Sequence, residues 1–119
     1  IYLQDVMPTA IQWGGGRVPD HVEFKDLMPL IRGTQAESYS SIYGSYLNLQ
    51  RMVQKGDWKL IIYPKINVKR LYNTAQDPLE MTDLAAKPKH KETLAMLMDE
   101  FHKLQKQLGD PLVWPLANN

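Results

Sequence analysis

Cysteine is absent from this chain of 119 residues, which removes disulfides, thiolate metal sites and cysteine nucleophiles together. A charge excess of either sign is missing as well. The 14 basic residues stand against 13 acidic ones, so no strong field draws the chain to nucleic acid or to an anionic membrane. No apolar run approaches the ~20 residues that a membrane-spanning helix needs. Metal-ligand spacing is lacking too: His21, His90 and His102 lie far apart, and no His-x-x-x-His or Glu-x-x-His pair puts two ligands on one helical face. Ser38, Ser40, Ser41 and Ser45 have no Gly-x-Ser-x-Gly frame, which excludes the nucleophile elbow of an α/β-hydrolase. The start of the chain has none of the basic, apolar and small-residue layout of a signal peptide. It opens on Ile1-Tyr2-Leu3 without a Met, and the expectation is a piece of a longer protein. The compartment stays open, periplasm and secretion included.

What is present reads as an ordinary globular domain. Hydrophobic residues make up 44% and charged ones 23%, and a chain of this length buries roughly two thirds of its unfolded surface. Asp5-Val6-Met7-Pro8 opens a short apolar run that stops at Gly14-Gly15-Gly16, and Asp26-Leu27-Met28-Pro29 opens another that stops at Gly33. Asp caps the free N–H groups of a first helical turn, Pro is harmless there, and Gly follows helix ends. Two short helices are expected, over about residues 5 to 13 and 26 to 32. Tyr, Ile, Val, Leu and Trp then dominate, as strands prefer. The spacing predicts strands near 41 to 47, 49 to 54, 58 to 63 and 69 to 73, with a hairpin turn at Lys55-Gly56-Asp57. Pro64 ends the third strand or confines it to an edge. Leu60, Ile61 and Ile62 are consecutive, the mark of a strand covered on both faces. After Pro88, the positions Leu94, Leu97, Met98, Phe101, Leu104 and Leu108 form a helical stripe that Gly109-Asp110-Pro111 terminates. Leu112, Val113, Trp114 and Leu116 follow as an apolar tail.

Chemistry is harder to find. Asp77, Glu80 and Asp83 are close together, but they lack the alternation and glycine of an EF-hand loop, and Asp77-Pro78 is a good turn start. The glycine triplet at 14 to 16 follows a helix rather than a strand, and no Gly-Lys-Ser/Thr accompanies it. Arg51 can reach an anionic ligand from beside the hairpin. The bland reading makes it a strand-edge or surface residue, and it is favoured because such charges usually contribute little. Tyr39, Tyr43, Tyr46, Tyr63 and Tyr72 concentrate in the strand region, where aromatics at this spacing pack a core more often than they stack a ligand.

The words themselves match a family. "YLQDVMPTAIQWGGGRVPDHVEFKDLMPLIRG" resembles the late part of sulfatases, where an Asp-x-x-Pro-Thr helix precedes a Ser/Asp-Leu-x-Pro-Leu-x-x-Gly segment. "LQRMVQKGDWKLIIYP" is similar to the family's Arg-x-Val-x-x-Gly-Asp-x-Lys-Leu-Ile hairpin. "RLYNTAQDPLEMTDLA" resembles Leu-Tyr-Asp-Leu-x-x-Asp-Pro-x-Glu-x-x-Asn-Leu-Ala, with Asn73 and Thr74 in place of Asp-Leu and Asp83 in place of Asn. The likeness spans residues 2 to 108.

That resemblance implies an α+β fold: a roughly four-stranded antiparallel sheet packed by a C-terminal helix, with two short N-terminal helices. It implies that residues 1–119 form a single domain, with 1–38 coming from the end of a large domain and 39–119 making a small subdomain. Sulfatases carry a formylglycine nucleophile in a Cys/Ser-x-Pro-x-Arg motif, calcium-binding carboxylates and catalytic His and Lys in a large N-terminal domain. No serine here is followed by x-Pro-x-Arg. The chain is therefore expected to be noncatalytic alone, with neither cofactor nor metal of its own, and with calcium and formylglycine in an N-terminal sulfatase domain that is its partner. Its contribution is support for that domain and one wall of the substrate cleft, where Arg51 and Tyr43 are the candidate contacts. Two rival readings stand beside this one: an independent carbohydrate- or peptide-binding module, and the same portion of a phosphonate or phosphate monoester hydrolase. Isolated, the chain is expected to cover its apolar ends, Ile1-Tyr2-Leu3 and Val113-Trp114, by forming a homodimer.

Overall fold

The computed structural model describes residues 1–113. The chain divides into two compact units, Ile1–Ser40 and Ser41–Asn119.

In the first unit, a 3-10 turn at Leu3–Asp5 runs into helix α1, Val6–Trp13. Helix α2 is a single turn, Met28–Ile31. Gly15 and Gly33 follow the two helix ends at φ of +77° and +67°, a backbone region that a side chain makes costly. The two aspartates of the shared phrase behave differently. Asp26 accepts the Met28 N–H at 2.9 Å, from one residue ahead of the N-cap position, Leu27, which has no side-chain cap of its own. Asp5 makes no capping bond to α1, contrary to the helix reading. Its carboxylate accepts instead from the Tyr2 N–H at 2.7 Å, the Lys25 N–H at 3.1 Å and the Tyr39 hydroxyl at 2.5 Å. Partners 20 and 34 positions away offer charge-stabilising donors that a local cap cannot match.

The second unit is an antiparallel meander of β1 (Ile42–Tyr46), β2 (Gln50–Lys55), β3 (Trp58–Tyr63) and β4 (Val68–Asn73), in that spatial order. Lys55 pairs with Trp58, so Gly56 and Asp57 form a two-residue turn, and Gly56 at φ +54° supplies the left-handed backbone such turns require. Pro64 ends β3 by opening a 3-10 turn, Pro64–Ile66, after which Asn67 at φ +52° reverses the chain into β4. Asn tolerates that region better than most residues.

Tyr43, Val53, Leu60 and Leu71 are paired strand to strand across one face of the sheet. Helix α3, Lys91–Gln107, places Leu97 and Phe101 on that face, with Leu94, Met98 and Leu104 around them. Tyr43 and Phe101 stack at 5.8 Å between ring centroids. Ile61 and Tyr72, on the opposite face, are also buried, so β3 is covered on both sides. Leu108 leaves the stripe. It lies past the last helical residue and stays 50% exposed. Val113 is exposed too, while Trp114 and Leu116 lie outside the described residues.

Candidate functional site

Arg51 and Tyr43 meet, and they meet on a third residue. Arg51 stands in β2, an interior strand, and is only 6% exposed, so the strand-edge or surface reading is overturned. Its Nε and Nη2 donate to the two carboxylate oxygens of Asp110, the second bond at 3.0 Å. Its Nη1 donates to the Leu47 carbonyl at 2.6 Å and the Gln50 carbonyl at 2.9 Å. The Tyr43 hydroxyl donates to Asp110 Oδ2 at 2.6 Å, and the Leu112 N–H donates to Oδ1 at 3.0 Å. The Arg51 guanidinium, set against the cost of burial, lowers the Asp110 carboxyl to about 2. Burial first, then the adjacent carboxylate, pushes the Tyr43 phenol upward. Asp110 in turn raises Arg51 further, against its own burial. The result is a charge-balanced cluster with its hydrogen bonds committed inward.

What the cluster holds is the β1–β2 turn. Arg51 grips that turn by two carbonyls, at Leu47 and Gln50. Tyr46, Leu47 and Leu49 project from it into solvent, and Leu47 sits at φ +47°, a conformation that costs a branched residue roughly 1–2 kcal/mol.

Asp110 was invisible to sequence reading except as a helix stop, because nothing in Gly109-Asp110-Pro111 points to an arginine in β2. Glu100 was missed likewise. It reads as the polar face of α3, yet it is buried, accepting from the Ser41 hydroxyl at 2.8 Å and from Lys55 Nζ at 2.9 Å. Those partners outweigh its desolvation and lower its carboxyl.

The acidic loop is structural throughout. Asp77 accepts the Thr82 N–H at 2.8 Å, and its carbonyl takes the Glu80 N–H at 3.0 Å, the turn that Asp77-Pro78 predicts. Glu80 pairs with Lys59 at 2.7 Å. Asp83 accepts the Leu71 N–H at 3.0 Å and the Ala85 N–H at 2.9 Å, and Leu84 donates to the Leu71 carbonyl at 2.8 Å. This short segment thereby satisfies the N–H and carbonyl of Leu71 on β4, and an Asn at 83 would supply the same acceptor oxygen. Among the described residues, no group of three or more His, Cys, Asp and Glu is placed to hold a metal ion. The set does not fit a calcium site. The tyrosines form no single platform either: Tyr43 faces α3, Tyr72 is buried on the opposite face, and Tyr39 belongs to the first unit.

That unit has its own polar centre. Besides the three donors on Asp5, the Thr9 hydroxyl donates to the Asp5 carbonyl at 2.6 Å and accepts the Leu27 N–H at 2.8 Å. Lys25 Nζ donates to the Ser38 carbonyl at 2.6 Å and lies 4.6 Å from the Tyr39 ring centre. Burial opposes ionisation of Asp5, but Tyr39 and the two backbone N–H groups more than offset it. Tyr39 is pushed up to about 12, by burial first and then by Asp5. Asp5, Pro8 and Thr9, the fixed letters of Asp-x-x-Pro-Thr, are all buried.

Residues 1–107 match the sequence profile of the family described as "N-sulphoglucosamine sulphohydrolase, C-terminal". An uncharacterised protein of Haemophilus influenzae is 28% identical over 94% of this chain and 60% of its own length. An ulvan-active sulfatase of Formosa agariphila is 24% identical, over 99% of this chain and 33% of its own. The solved structure of a 2-O GAG sulfatase superposes with a TM-score of 0.77 at 27% identity, over 89% of this chain and 25% of that one. A phosphonate monoester hydrolase of Agrobacterium radiobacter shares the fold, at a TM-score of 0.63 and 20% identity. The chain thus spans between a quarter and three fifths of these relatives.

Proposed function

The chain belongs to the family of N-sulphoglucosamine sulphohydrolase C-terminal regions, and from that membership we propose that it is the noncatalytic C-terminal part of a sulfuric ester hydrolase. One observation carries the reading: the family match spans residues 1–107 and so takes in residues of both units. In this role the chain braces a large catalytic domain and contributes one wall of its substrate cleft. Arg51 and Tyr43 serve that wall by fixing the β1–β2 turn through Asp110, rather than by touching substrate themselves. The hydrated-aldehyde nucleophile and the calcium ion belong to the large domain: the sequence has no Cys/Ser-x-Pro-x-Arg precursor, and among the described residues no carboxylate cluster is placed to hold a metal ion.

Sulfate is favoured over phosphonate as the ester. The family profile and the GAG sulfatase, at 27% identity, both carry sulfatase names, whereas the phosphonate hydrolase supports the fold alone. A sulfated carbohydrate is the substrate class that fits those names.

The test is turnover by two preparations, the polypeptide as its gene encodes it and the 119-residue chain, each with calcium supplied. Hydrolysis of a chromogenic aryl sulfate by the first, faster than of an aryl phosphonate monoester, is expected. The 119-residue chain should show none. Turnover by the short chain that disappears on mutation within it would overturn the noncatalytic reading.

A further inference from the structure

Lysines crowd the entry to helix α3. Lys87, Lys89 and Lys91, with His90 among them, fall within one short run interrupted only by Pro88. The turn Pro88–His90 is 3-10 and runs straight into α3 at Lys91. At a rise of about 2 Å per residue, the backbones of the lysines lie within roughly 8 Å of one another, no more than a Debye length at physiological salt. Their fields therefore add. All three are exposed, and among the described residues none comes within ion-pair distance of a carboxylate. Lys55, Lys59 and Lys103 behave differently, each reaching Glu100 or Glu80. No acidic residue occurs between Asp83 and Glu92. Asp83 turns its carboxylate to the Leu71 and Ala85 N–H groups.

The fold does not ask for this charge. A helix carries positive partial charge at its N-terminal end, where acidic residues stabilise it and basic ones do the opposite. Helix α3 follows that rule at its other end, where Lys106 lies in the last turn. His90, at the N-cap position, supplies no side-chain cap. Its ring instead meets that of Trp58, with centres 5.1 Å apart and planes inclined at 56°. Trp58 opens β3 and is only partly buried, at the margin of the core. The lysines are thus bordered by a pair of rings. An aromatic face can take the apolar side of a sugar while ammonium groups donate to its anionic substituents. Glu92, in the first turn of α3, and Asp57, just before Trp58, are the exposed acidic neighbours, and neither pairs with a lysine of the cluster.

We propose that Lys87, Lys89 and Lys91, with the Trp58–His90 pair, bind a sulfated polysaccharide chain, an inference that rests on the sulfated-carbohydrate reading above. Charge complementarity selects a polyanion, as short lysine-rich runs do generally. Nucleic acid and anionic membrane fit less well. The cluster has no arginine for two-pronged contacts to phosphate or base edges, and the chain as a whole is close to neutral. Residues 87–91 include no large apolar side chain to sink into a lipid interface.

The test is the affinity of heparin, a sulfated polysaccharide, for the polypeptide as its gene encodes it, measured over a range of salt. Lys87→Ala/Lys89→Ala/Lys91→Ala should bind about tenfold more weakly at physiological salt, with the slope of log affinity against log salt shallower by about 2. Lys65→Ala/Lys103→Ala/Lys106→Ala removes as much charge from exposed positions after β3 and late in α3, and should bind like the wild type. The urea midpoint of the first variant should hold or rise, because positive charge leaves the positive end of a helix. No heparin binding by the wild type, equal losses in the two variants, or equal affinity for desulfated heparin would overturn the proposal. So would duplex DNA or phosphatidylserine vesicles held by the same lysines more tightly than heparin. Aryl sulfate turnover by the wild type is scored separately. Heparin binding lost in the first variant, without turnover by the wild type, refutes the sulfatase reading and keeps the lysine site. Turnover by the wild type, with heparin binding unchanged in that variant, does the reverse.

Discussion

Arg51 and Asp110, 59 positions apart, form a two-pronged ion pair that fastens the β2 strand to the segment just after α3. Both side chains are largely buried. Such a pair adds modest stability when complete, yet removing one partner strands the other in a poor solvent for charge. Its consequences are therefore asymmetric, and they can be read by titration.

The Asp110 carboxyl lies at about 2 in the folded protein, below its ordinary 3.8. A depressed folded value contributes stability that is fully present above the unfolded value and is lost as pH falls through the folded one. Across pH 4 to 2 the wild type should lose about 2 kcal/mol from this group. Asp110→Asn should be less stable at pH 6 by about 3–5 kcal/mol, the usual cost of an orphaned buried charge, and its acid slope should be shallower. Asp5 and Glu100 are lowered as well, so some slope will remain. Urea midpoints measured from pH 6 to 2 check both statements, and parallel slopes would contradict the assignment.

Phe101→Ala should cost about 3–5 kcal/mol, because the ring is fully buried against the sheet, stacked on Tyr43 of β1. Leu108→Ala is the matched control and should shift the urea midpoint little, since Leu108 is off the packed stripe. Equal effects would mean that α3 packs differently.

Asp83→Asn should be nearly silent and Asp83→Ala should not. Asn keeps the oxygen that receives the Leu71 and Ala85 N–H groups, whereas Ala leaves both without it, at a cost of about 1–3 kcal/mol. Amide hydrogen exchange at Leu71 gives the local readout: protection retained in the Asn variant and reduced in the Ala variant.

These cases show which parts of the molecule are legible in its sequence. Strands, turns and the α3 stripe are local patterns, and the four antiparallel strands, the Gly56 turn and the seating of Leu97 and Phe101 follow the reading closely. The polar centres are not local. Asp5 resembles a cap, Glu100 a solvent face and Asp110 a stop signal, and each instead joins residues more than twenty positions away or from another element. Periodicity has no term for such pairs. Arg51 illustrates the same limit from the other side, since a lone basic residue near a hairpin looks like surface until its carboxylate is found. Helix α1 was readable only as a helix, because an apolar stripe looks the same whether it faces a core or, as Val6, Met7 and Trp13 do, solvent.

Leu47→Gly should stabilise the second unit. Leu47 holds a left-handed backbone at φ +47° on an exposed turn, and glycine enters that region without the side-chain penalty, though it adds unfolded-state entropy. The net gain should be about 0.5–1 kcal/mol. An unchanged or lower urea midpoint would show that the Leu47 side chain contributes contacts that offset its strain.

The isolated 119-residue chain should self-associate. The ends first suspected of driving this are exposed where described: Ile1, Leu3 and Val113 all face solvent. The larger apolar surface is a stripe along α1 and the turn before it, where Leu3, Val6, Met7 and Trp13 are exposed, and a second copy can cover it by a symmetric pairing of like with like. Charge placed on that stripe should abolish the association without disturbing the fold, because Val6 and Trp13 make no inward contacts that hold Asp5 or Thr9 in place. Sedimentation at micromolar concentration should therefore show a dimer for the wild type and a monomer for Val6→Glu/Trp13→Glu, with hydrophobic dye binding lost in the variant. Circular dichroism confirms that the variant remains folded. A wild-type chain that sediments as a clean monomer and binds no dye would mean that the stripe needs no second copy to cover it, and pairing through α1 would have to be given up.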